Sequence, residues 1–292
     1  MKWLVERLSS DNMISTDNAG TYSITNLGAV LFAKKLDDFK SLKRKAVRVV
    51  VYNSATRLET IKEQTGGKGY ASGFEGLIEF INGLIPRNEI VGKALRKDVP
   101  MYPEIAVREL VANALIHQDF FIRGAGPMIE IFSDRLEITN PGEPLVKAER
   151  FLDSPPKSRN ESLASFMRRI GVCEERGSGI DKVVFQAEFY QLPAPLIEVI
   201  DNSTKVTLFS HRPLSKMDKD DKIRATYLHA CLKYVQREYL TNSSLRDRFG
   251  IQKENSAMVS RIIKDAVEEE KIKPVDKESE SRKHARYAPF WA

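Results

Sequence analysis

The sequence predicts an α+β fold of two layers, with helices on one side of a mostly antiparallel sheet, followed by a smaller C-terminal unit. Three observations support this prediction. Helical and β-branched segments alternate over the first 210 residues. Residues 202–221, where a strand ends and a polar, charge-mixed run follows, then indicate a boundary. Beyond it come three helical patterns and two short candidate strands.

The elements of the first part follow from local patterns. Residues 46–52 (AVRVVVY) are rich in β-branched side chains, which favour a strand. Pro103 stands where the first turn of a helix tolerates proline, and Pro141-Gly142 predicts a sharp turn. The predicted helices are residues 23–35, a segment from the glycine-rich loop 66–73 through Ile85, and residues 103–118, 159–170 and 178–190. The predicted strands are residues 46–52, 128–132, 135–139, 196–200 and 205–209.

The sequence of the C-terminal part predicts three helices and a hairpin. Thr241 is suited to cap a short second helix, which Gly250 ends. The predicted helices are residues 222–239, the short segment after Thr241 and residues 256–270, and the strands are residues 271–275 and 286–290 around a charged tip. The expected organisation is an N-terminal α/β segment at 1–95, a domain at 96–210, a linker at 211–220 and a C-terminal domain at 221–292.

Composition places the chain among soluble globular proteins. It has 292 residues, of which 42% are hydrophobic and 29% charged. No run of about 18 apolar residues could cross a membrane, and the N-terminal sequence does not resemble a signal peptide. Cys173 and Cys231 lack the spacing of a zinc site or a disulfide framework, which favours a reducing cytoplasm.

The basic charge is concentrated at the C-terminal end. Residues 211–292 hold 18 Lys and Arg against 13 Asp and Glu, whereas the preceding residues hold 28 against 27. This excess is expected if the C-terminal part contacts nucleic acid phosphates, although many solvated basic faces bind nothing.

Three short motifs contain residues suited to chemistry. Glu109, Asn113 and His117 fall at helical spacing and form one polar stripe, either a metal and water site or a solvated helix face. Asn140, followed by Pro-Gly, ends a strand and suits either a flat ligand or an ordinary tight turn. Gly177-Ser-Gly179 precedes a helix, whose N-terminus favours anions. No GxxxxGK[ST] motif is present, which excludes a P-loop ATPase or motor helicase.

In this order and spacing, the motifs resemble the N, G1 and G2 boxes of GHKL ATPases, which have the Bergerat fold. Residues 102–192 are more closely similar to the divergent branch found beside Schlafen-type AlbA domains, whose members are described as RecG-helicase-related proteins or transcriptional regulators. The matching strings are YPEIAVRELVANALIHQDF, SDRLEITNPGEPL, SRNESLA and EERGSGIDKV. Residues 22–85 resemble the segment that precedes this domain, and the C-terminal part, ending ARYAPFWA, resembles the winged helix that often follows.

The resemblance implies ATP and Mg²⁺ as ligands and a role for each matching residue. It implies that Glu109 activates water and that Asn113 binds Mg²⁺. Asn140 stands where most GHKL proteins have an aspartate that binds the adenine amino group, and an amide oxygen accepts that bond without charge. Gly142 would make room for the base, and Gly177 and Gly179 would contact phosphates. Binding of ATP is therefore the expectation, and hydrolysis is a further hypothesis.

The winged-helix resemblance implies DNA binding, with the third helix in the major groove and the hairpin on the backbone. The candidate contacts on the helix are Asn255, Ser256, Ser260, Arg261 and Lys264, and those at the hairpin are Lys277, Arg282, Lys283 and Arg286. Protein contacts or homodimerisation are the alternative for this part. Two residues of the first part each allow two interpretations. His117 is either a structural histidine or a ligand of metal or phosphate. Arg159 is either a surface residue or a phosphate contact.

Taken together, the sequence predicts a cytoplasmic, ATP-linked DNA-binding regulator, as in transcription, with no membrane partner. Nucleotide and Mg²⁺ would set the geometry or dimerisation of the chain and so control DNA binding. Two alternatives remain open at this stage. The chain could be a nucleotide-silent scaffold that carries a winged helix, or part of a DNA-processing or defence enzyme whose AlbA-type domain is absent from this sequence.

Overall fold

The computed structural model describes residues 2–91, 96–173, 179–275 and 285–292. Its helices are α1 (Lys2–Ser10), α2 (Asn26–Phe32), α3 (Tyr70–Leu84), α4 (Glu104–His117), α5 (Glu161–Arg169), α6 (Gly179–Phe189), α7 (Lys219–Val235), α8 (Asn242–Phe249) and α9 (Ser256–Glu268). Its strands are β1 (Ile14–Thr16), β2 (Tyr22–Ile24), β3 (Arg48–Tyr52), β4 (Thr60–Thr65), β5 (Arg87–Val91), β6 (Arg96–Pro100), β7 (Met128–Ile131), β8 (Arg135–Pro141), β9 (Leu196–Ile200), β10 (Ser203–Phe209), β11 (Ile272–Pro274) and β12 (Tyr287–Pro289).

A six-stranded mixed sheet organises the first part of the molecule. Its strand order is β4-β3-β7-β8-β10-β9. Strand β3 is parallel to β7, and every other neighbouring pair in this sheet is antiparallel. The predicted α+β class, with a mostly antiparallel sheet, is therefore confirmed. Because β3 and β4 belong to this sheet, residues from the predicted N-terminal segment and from the predicted central domain form one layer.

One face of the sheet is covered by helices and the other carries charged side chains. The larger hydrophobic core combines side chains from β3, β7, β8 and β10 with side chains from α2 to α6. On the opposite face, Arg57 Nε lies 2.7 Å from Glu130 Oε1 and Arg135 Nε lies 2.6 Å from Glu137 Oε1. Both glutamates are buried, and each is paired with an arginine, as buried charged groups generally are. The helices thus lie on one side, as the sequence predicted.

Two predicted boundaries are wrong for identifiable reasons. Residues 23 and 24, expected in a helix, belong to β2, because Thr25 caps α2 by accepting a hydrogen bond from the Gly28 N–H at 3.1 Å. Pro141, expected in a sharp turn, is the last residue of β8 and pairs with Ser203 of β10. Strand β4, with an exposed polar sequence, was not predicted, because it lacks the alternation that marks a half-buried strand.

The C-terminal part contains the three helices and the strand pair that the sequence predicted. Helix α7 begins at Lys219 and ends at Val235, earlier at both ends than predicted. Thr241 and Ser244 form a reciprocal capping box at the start of α8, and Gly250 ends that helix at φ 64°. Strands β11 and β12 pair antiparallel. The predicted charged tip at 276–284 lies outside the described residues.

These helices enclose a second hydrophobic core that is not confined to them. It combines Leu240, Val259 and other side chains of α7 to β11 with Val184 and Ala194 from the first part. Arg248 of α8 is buried and donates a hydrogen bond from Nη2 to the Leu192 carbonyl at 2.7 Å. Within the described part of the chain, no helix is long and apolar enough to cross a membrane.

Candidate functional site

Helix α4 presents a single polar stripe to a cavity of about 570 Å³. Most of the helix is buried, including Leu110, Ala114 and Leu115, so its polar residues have little room to face solvent. Glu109 and Asn113 both line the cavity, as does His117. The side chain of Glu109 keeps only 13% of its surface exposed. The stripe therefore borders a cavity and is not an open, fully solvated helix face.

The sheet supplies the wall opposite α4. Asn140 of β8 is buried and lines the same cavity, together with Ile138. Thr204 of β10 pairs directly with Asn140 across the strands, and Val206 pairs with Ile138. This wall therefore offers two polar side chains between apolar ones, an arrangement that suits a flat ring with polar edges. Sequence reasoning missed Thr204, because only the strand register places it beside Asn140.

Gly142 lies near this wall but is not among the residues that line the cavity. Its φ of 109° is unfavourable for other residues, and an added Cβ would lie 2.9 Å from the Cβ of Asp119. Its carbonyl accepts a hydrogen bond from the Thr204 hydroxyl at 2.7 Å. Glycine is therefore required here by the close approach of the chain to Asp119 at the end of α4.

The start of α6 closes the cavity beside the two acceptors of α4. A Cβ on Gly179 would lie 2.9 Å from Glu109 Oε2 and 3.4 Å from Asn113 Nδ2. Only glycine allows this approach without displacing them. Lys182, one turn further along α6, places its ammonium 3.5 Å from Glu109 Oε1. Gly177, the other glycine of the motif, lies outside the described residues.

The rest of the rim comes from the chain between β8 and α5, where sequence reasoning had given roles only to Gly142 and Arg159, and from α5 itself. It provides both apolar and basic side chains. The apolar ones include Leu145, Val146 and Phe151, the basic ones are Lys157 and Arg168, and Glu143 and Glu161 add acidic groups. A cavity of this composition can hold an apolar ring and an anionic group at once.

Arg159 has structural partners, and its charge acts on the nearby His117. The pKa of His117 is lowered, first by burial and then by the nearby positive charge of Arg159. Arg159 donates from Nη2 to the Glu143 carbonyl at 2.7 Å and from Nη1 to Asp119 Oδ2 at 3.3 Å. Arg159 is not among the residues that line the cavity. Its two hydrogen bonds connect the chain after β8 to the end of α4.

The donor set of the cavity is compatible with Mg²⁺ bound through a nucleotide. In the described part of the chain, no group of three or more His, Cys, Asp or Glu side chains could hold a metal ion by itself. Mg²⁺ in nucleotide sites keeps several waters and takes only one or two protein oxygens besides the phosphates. Asn113 and Glu109, side by side at the cavity wall, can provide those oxygens.

The candidate DNA contacts of α9 lie on its outer face. Val259, Ile262, Ile263 and Ala266 form the buried face of this helix. The candidates on the helix are Asn255, Ser260, Arg261 and Lys264, which are exposed, and Ser256, which is half-buried. Ser260 accepts a hydrogen bond from Asn242 Nδ2 at 3.0 Å.

At the hairpin, one candidate can be placed and three cannot. Arg286 is exposed, and its guanidinium lies 5.2 Å from the ring centre of Tyr239. Lys277, Arg282 and Lys283 lie outside the described residues.

Two comparisons with known proteins found similarity to this chain. Residues 124–208 match the family described as "Putative ATP-dependent DNA helicase recG C-terminal", an ATPase-type domain. The crystal structure of the DIP2311 protein from Corynebacterium diphtheriae has a TM-score of 0.59 with this chain at 22% identity. The alignment covers 88% of this chain and 52% of that one, so this chain spans about half the length of that protein. No curated protein matches the sequence.

The family match supports an ATPase-like domain related to RecG, and hence ATP binding. At 22% identity, the likeness to the Corynebacterium protein shows a shared fold and nothing more.

Proposed function

We propose that the chain binds ATP together with Mg²⁺ in the cavity between α4 and the sheet. The observation that carries this proposal is the convergence of three sequence motifs on one cavity. Glu109 and Asn113 lie on one wall, Asn140 lies on the other, and Gly179 brings the start of α6 next to the first two. Buried polar groups without a ligand cost free energy, so their convergence favours a polar ligand.

Each wall then has a distinct role. Asn140 and Thr204 contact the edge of the adenine ring, while Ile138 and Val206 contact its face. Asn113 provides a Mg²⁺ ligand, and bound Mg²⁺ neutralises phosphate charge. The positive end of the α6 dipole at Gly179 favours phosphates at the same place.

We propose that hydrolysis of the bound ATP is slow. Glu109 is the carboxylate that orients and deprotonates a water. The Lys182 ammonium lies 3.5 Å from that carboxylate and competes with a water molecule for it. Asn140 holds adenine without the charge of an aspartate, so we also expect modest affinity.

For the C-terminal part, we propose a winged helix that binds duplex DNA through α9. The support is the element order of three helices and an antiparallel strand pair, with exposed polar and basic residues on the outer face of the third helix. The local excess of basic residues supports the same assignment. The proposed role is that of a DNA-binding regulator, with transcription as its setting.

Helix α6 supports a proposal of coupling between nucleotide and DNA. Its first residue, Gly179, approaches Glu109 at the cavity. At its other end, Glu188 Oε2 lies 3.0 Å from His229 Nδ1 of α7, and Glu188 Oε1 lies 3.6 Å from Arg248 Nε of α8. One rigid helix therefore contacts both regions. A nucleotide that shifts α6 would shift α7 and α8 and change the position of α9.

A nucleotide-silent scaffold is the second candidate, and Asn140 and the Lys182–Glu109 pair are the observations that favour it. Calorimetric titration of the full chain with ATP and Mg²⁺ separates the two. We expect wild type to bind, Asn113→Ala to lose binding at least about tenfold, and Asn18→Ala, at an exposed asparagine, to bind as wild type does.

Two glycine variants can be compared in the same ATP titration. Gly179→Ala introduces a Cβ against Glu109 and should weaken ATP binding, whereas a Cβ on Gly76 of α3 meets nothing within 4 Å, so Gly76→Ala should not. Absence of ATP binding by wild type would overturn the nucleotide proposal and favour the scaffold.

A further inference from the structure

A second and larger cavity lies on the other side of residues 158–161 from the nucleotide cavity. This groove has a volume of about 1770 Å³ and is lined mainly by residues 38–45, 120–124 and 158–163. Pockets for small molecules usually span about 300–1,000 Å³, so the groove has room for a segment of a polymer. Ser158 and Glu161 border both cavities.

The groove carries free positive charge. Lys40, Lys43, Arg44 and Arg123 line it with exposed side chains, and none of them has an ion pair or a side-chain hydrogen bond within the described residues. The acidic residues that line the groove are Asp38 and Glu161. Unpaired cations gathered in a concave surface raise the local positive potential and attract anionic ligands.

The two loops that supply these cations are held together by a buried lysine. Lys45 is only 2% exposed, and its ammonium donates to the carbonyls of Asp119 at 3.3 Å, Ile122 at 2.7 Å and Ala125 at 3.2 Å. The Tyr70 hydroxyl in turn donates to the Lys45 carbonyl at 2.6 Å. The segment with Arg44 and the segment with Arg123 are therefore fixed against each other before any ligand arrives.

An aromatic ring stands exposed among these charges. Phe121 is 94% exposed, although burial of a phenylalanine side chain is favourable. Its backbone N–H donates to Asp119 Oδ1 at 2.8 Å, which sets the course of the chain at this point. An exposed ring beside unpaired cations is the combination on which single-stranded nucleic acids bind, because every base has a face that stacks.

We propose that this groove binds a single strand of nucleic acid. Lys40, Lys43, Arg44 and Arg123 contact successive phosphates, and a base stacks on Phe121. This site is separate from the nucleotide cavity and from α9, so it goes beyond the proposed function. An acidic peptide would use the cations but would leave the exposed ring without a role.

Fluorescence anisotropy with labelled single-stranded DNA and RNA, and with a duplex for comparison, tests the proposal on the full chain. We expect wild type to bind single strands and Phe121→Ala to bind them roughly 5- to 100-fold more weakly. Lys43→Ala/Arg123→Ala removes two phosphate contacts, so the slope of log K against log salt should fall by about 1.4. The DNA and RNA arms show which strand the groove prefers.

Control variants at other exposed residues show whether a loss of single-strand binding is specific to the groove. Phe189→Ala removes another exposed phenylalanine, and Lys216→Ala another exposed lysine; both should bind single strands as wild type does. Arg261→Ala, on α9, should also leave single-strand binding intact. A bromouridine-containing oligonucleotide should cross-link to the peptide that contains Phe121.

The proposal is overturned if wild type does not bind single strands, if Phe121→Ala binds like wild type, or if Arg261→Ala removes the binding. Because ATP titration and duplex binding are measured separately, failure of the groove and failure of the proposed function give different patterns of results.

Discussion

The α/β region and the C-terminal helices hold their candidate functional residues in opposite ways. In the α/β region, Glu109, Asn140 and Gly179 come from three distant segments and meet at one internal cavity. In the C-terminal part, Arg261 and Lys264 belong to one helix and lie on its outer surface. Convergence inside a protein is costly unless a ligand uses it, whereas a polar outer face is found on any surface helix. The cavity therefore gives stronger evidence about the ligand that it binds than the outer face of α9 gives about its own.

The two regions nevertheless share part of their interior. The second core includes Leu152, Val184 and Ala194 from the α/β region, and the side chain of Arg248 is 1% exposed at the junction. Burial lowers the pKa of this arginine, against the opposing effect of Glu188. A buried charge depends on its partners for stability, so the junction resists separation of the regions.

The prediction with the largest expected effect concerns whether this shared interior makes the two regions one folding unit. Leu240 is fully buried in the second core, so Leu240→Ala should lower the free energy of unfolding by about 2–5 kcal/mol. Calorimetry should show a single transition at lower temperature. Leu58→Ala, at a leucine that is 92% exposed, is the control and should unfold as wild type does. Two separate transitions would contradict the prediction and make the regions independent.

A smaller effect tests the assignment of α9 as the DNA-binding surface. Arg261→Ala removes one exposed guanidinium from the outer face of the helix. If it contacts a phosphate, the slope of log K against log salt for duplex DNA should fall by about 0.9, with no change in unfolding temperature. Lys216→Ala serves as the matched change outside α9. An unchanged duplex affinity and slope for Arg261→Ala would favour protein contacts as the role of this helix.

The smallest effect concerns the titration of His117 at the cavity. Its pKa lies below 6.5 in the folded protein, so the unfolded chain binds its proton more readily. The contribution to stability is intact above pH 6.5 and is lost as the pH falls from 6.5 toward the lowered pKa. Relative to His117→Gln, wild type should lose stability over that range by at most about 1.4 kcal/mol per pH unit, the limit for one proton. Urea titrations of both proteins at several pH values would measure it, and parallel curves would contradict it.

Much of the candidate site could be predicted because its residues sit in locally coded elements. Glu109, Asn113 and His117 share a helix face by their spacing alone, and that face does border the cavity. Thr241 and Gly250 delimit α8 through hydrogen bonds and backbone freedom that depend on neighbouring residues only. The exposed face of α9 likewise follows from its apolar periodicity.

Other features lay beyond sequence reasoning, because they depend on contacts between distant segments. Thr204 enters the site only through its register opposite Asn140. Lys45 is one of several lysines and arginines at residues 34–48, yet its ammonium is buried against three carbonyls of another loop. Gly142 was expected to make room for a base, and only the structure shows that a Cβ there would also lie 2.9 Å from the Cβ of Asp119.

By itself, the sequence determined the type of nearly every helix and core strand, the caps of α8 and the polar stripe of α4. Tertiary structure alone decided that β3 runs parallel to β7, that Asn140 faces the stripe across a cavity, and that Lys45 joins two loops into a groove. The physical reason is the distance along the chain over which each interaction acts. Periodicity and capping act within one or two turns of chain, whereas register and burial are set by packing among residues far apart in sequence.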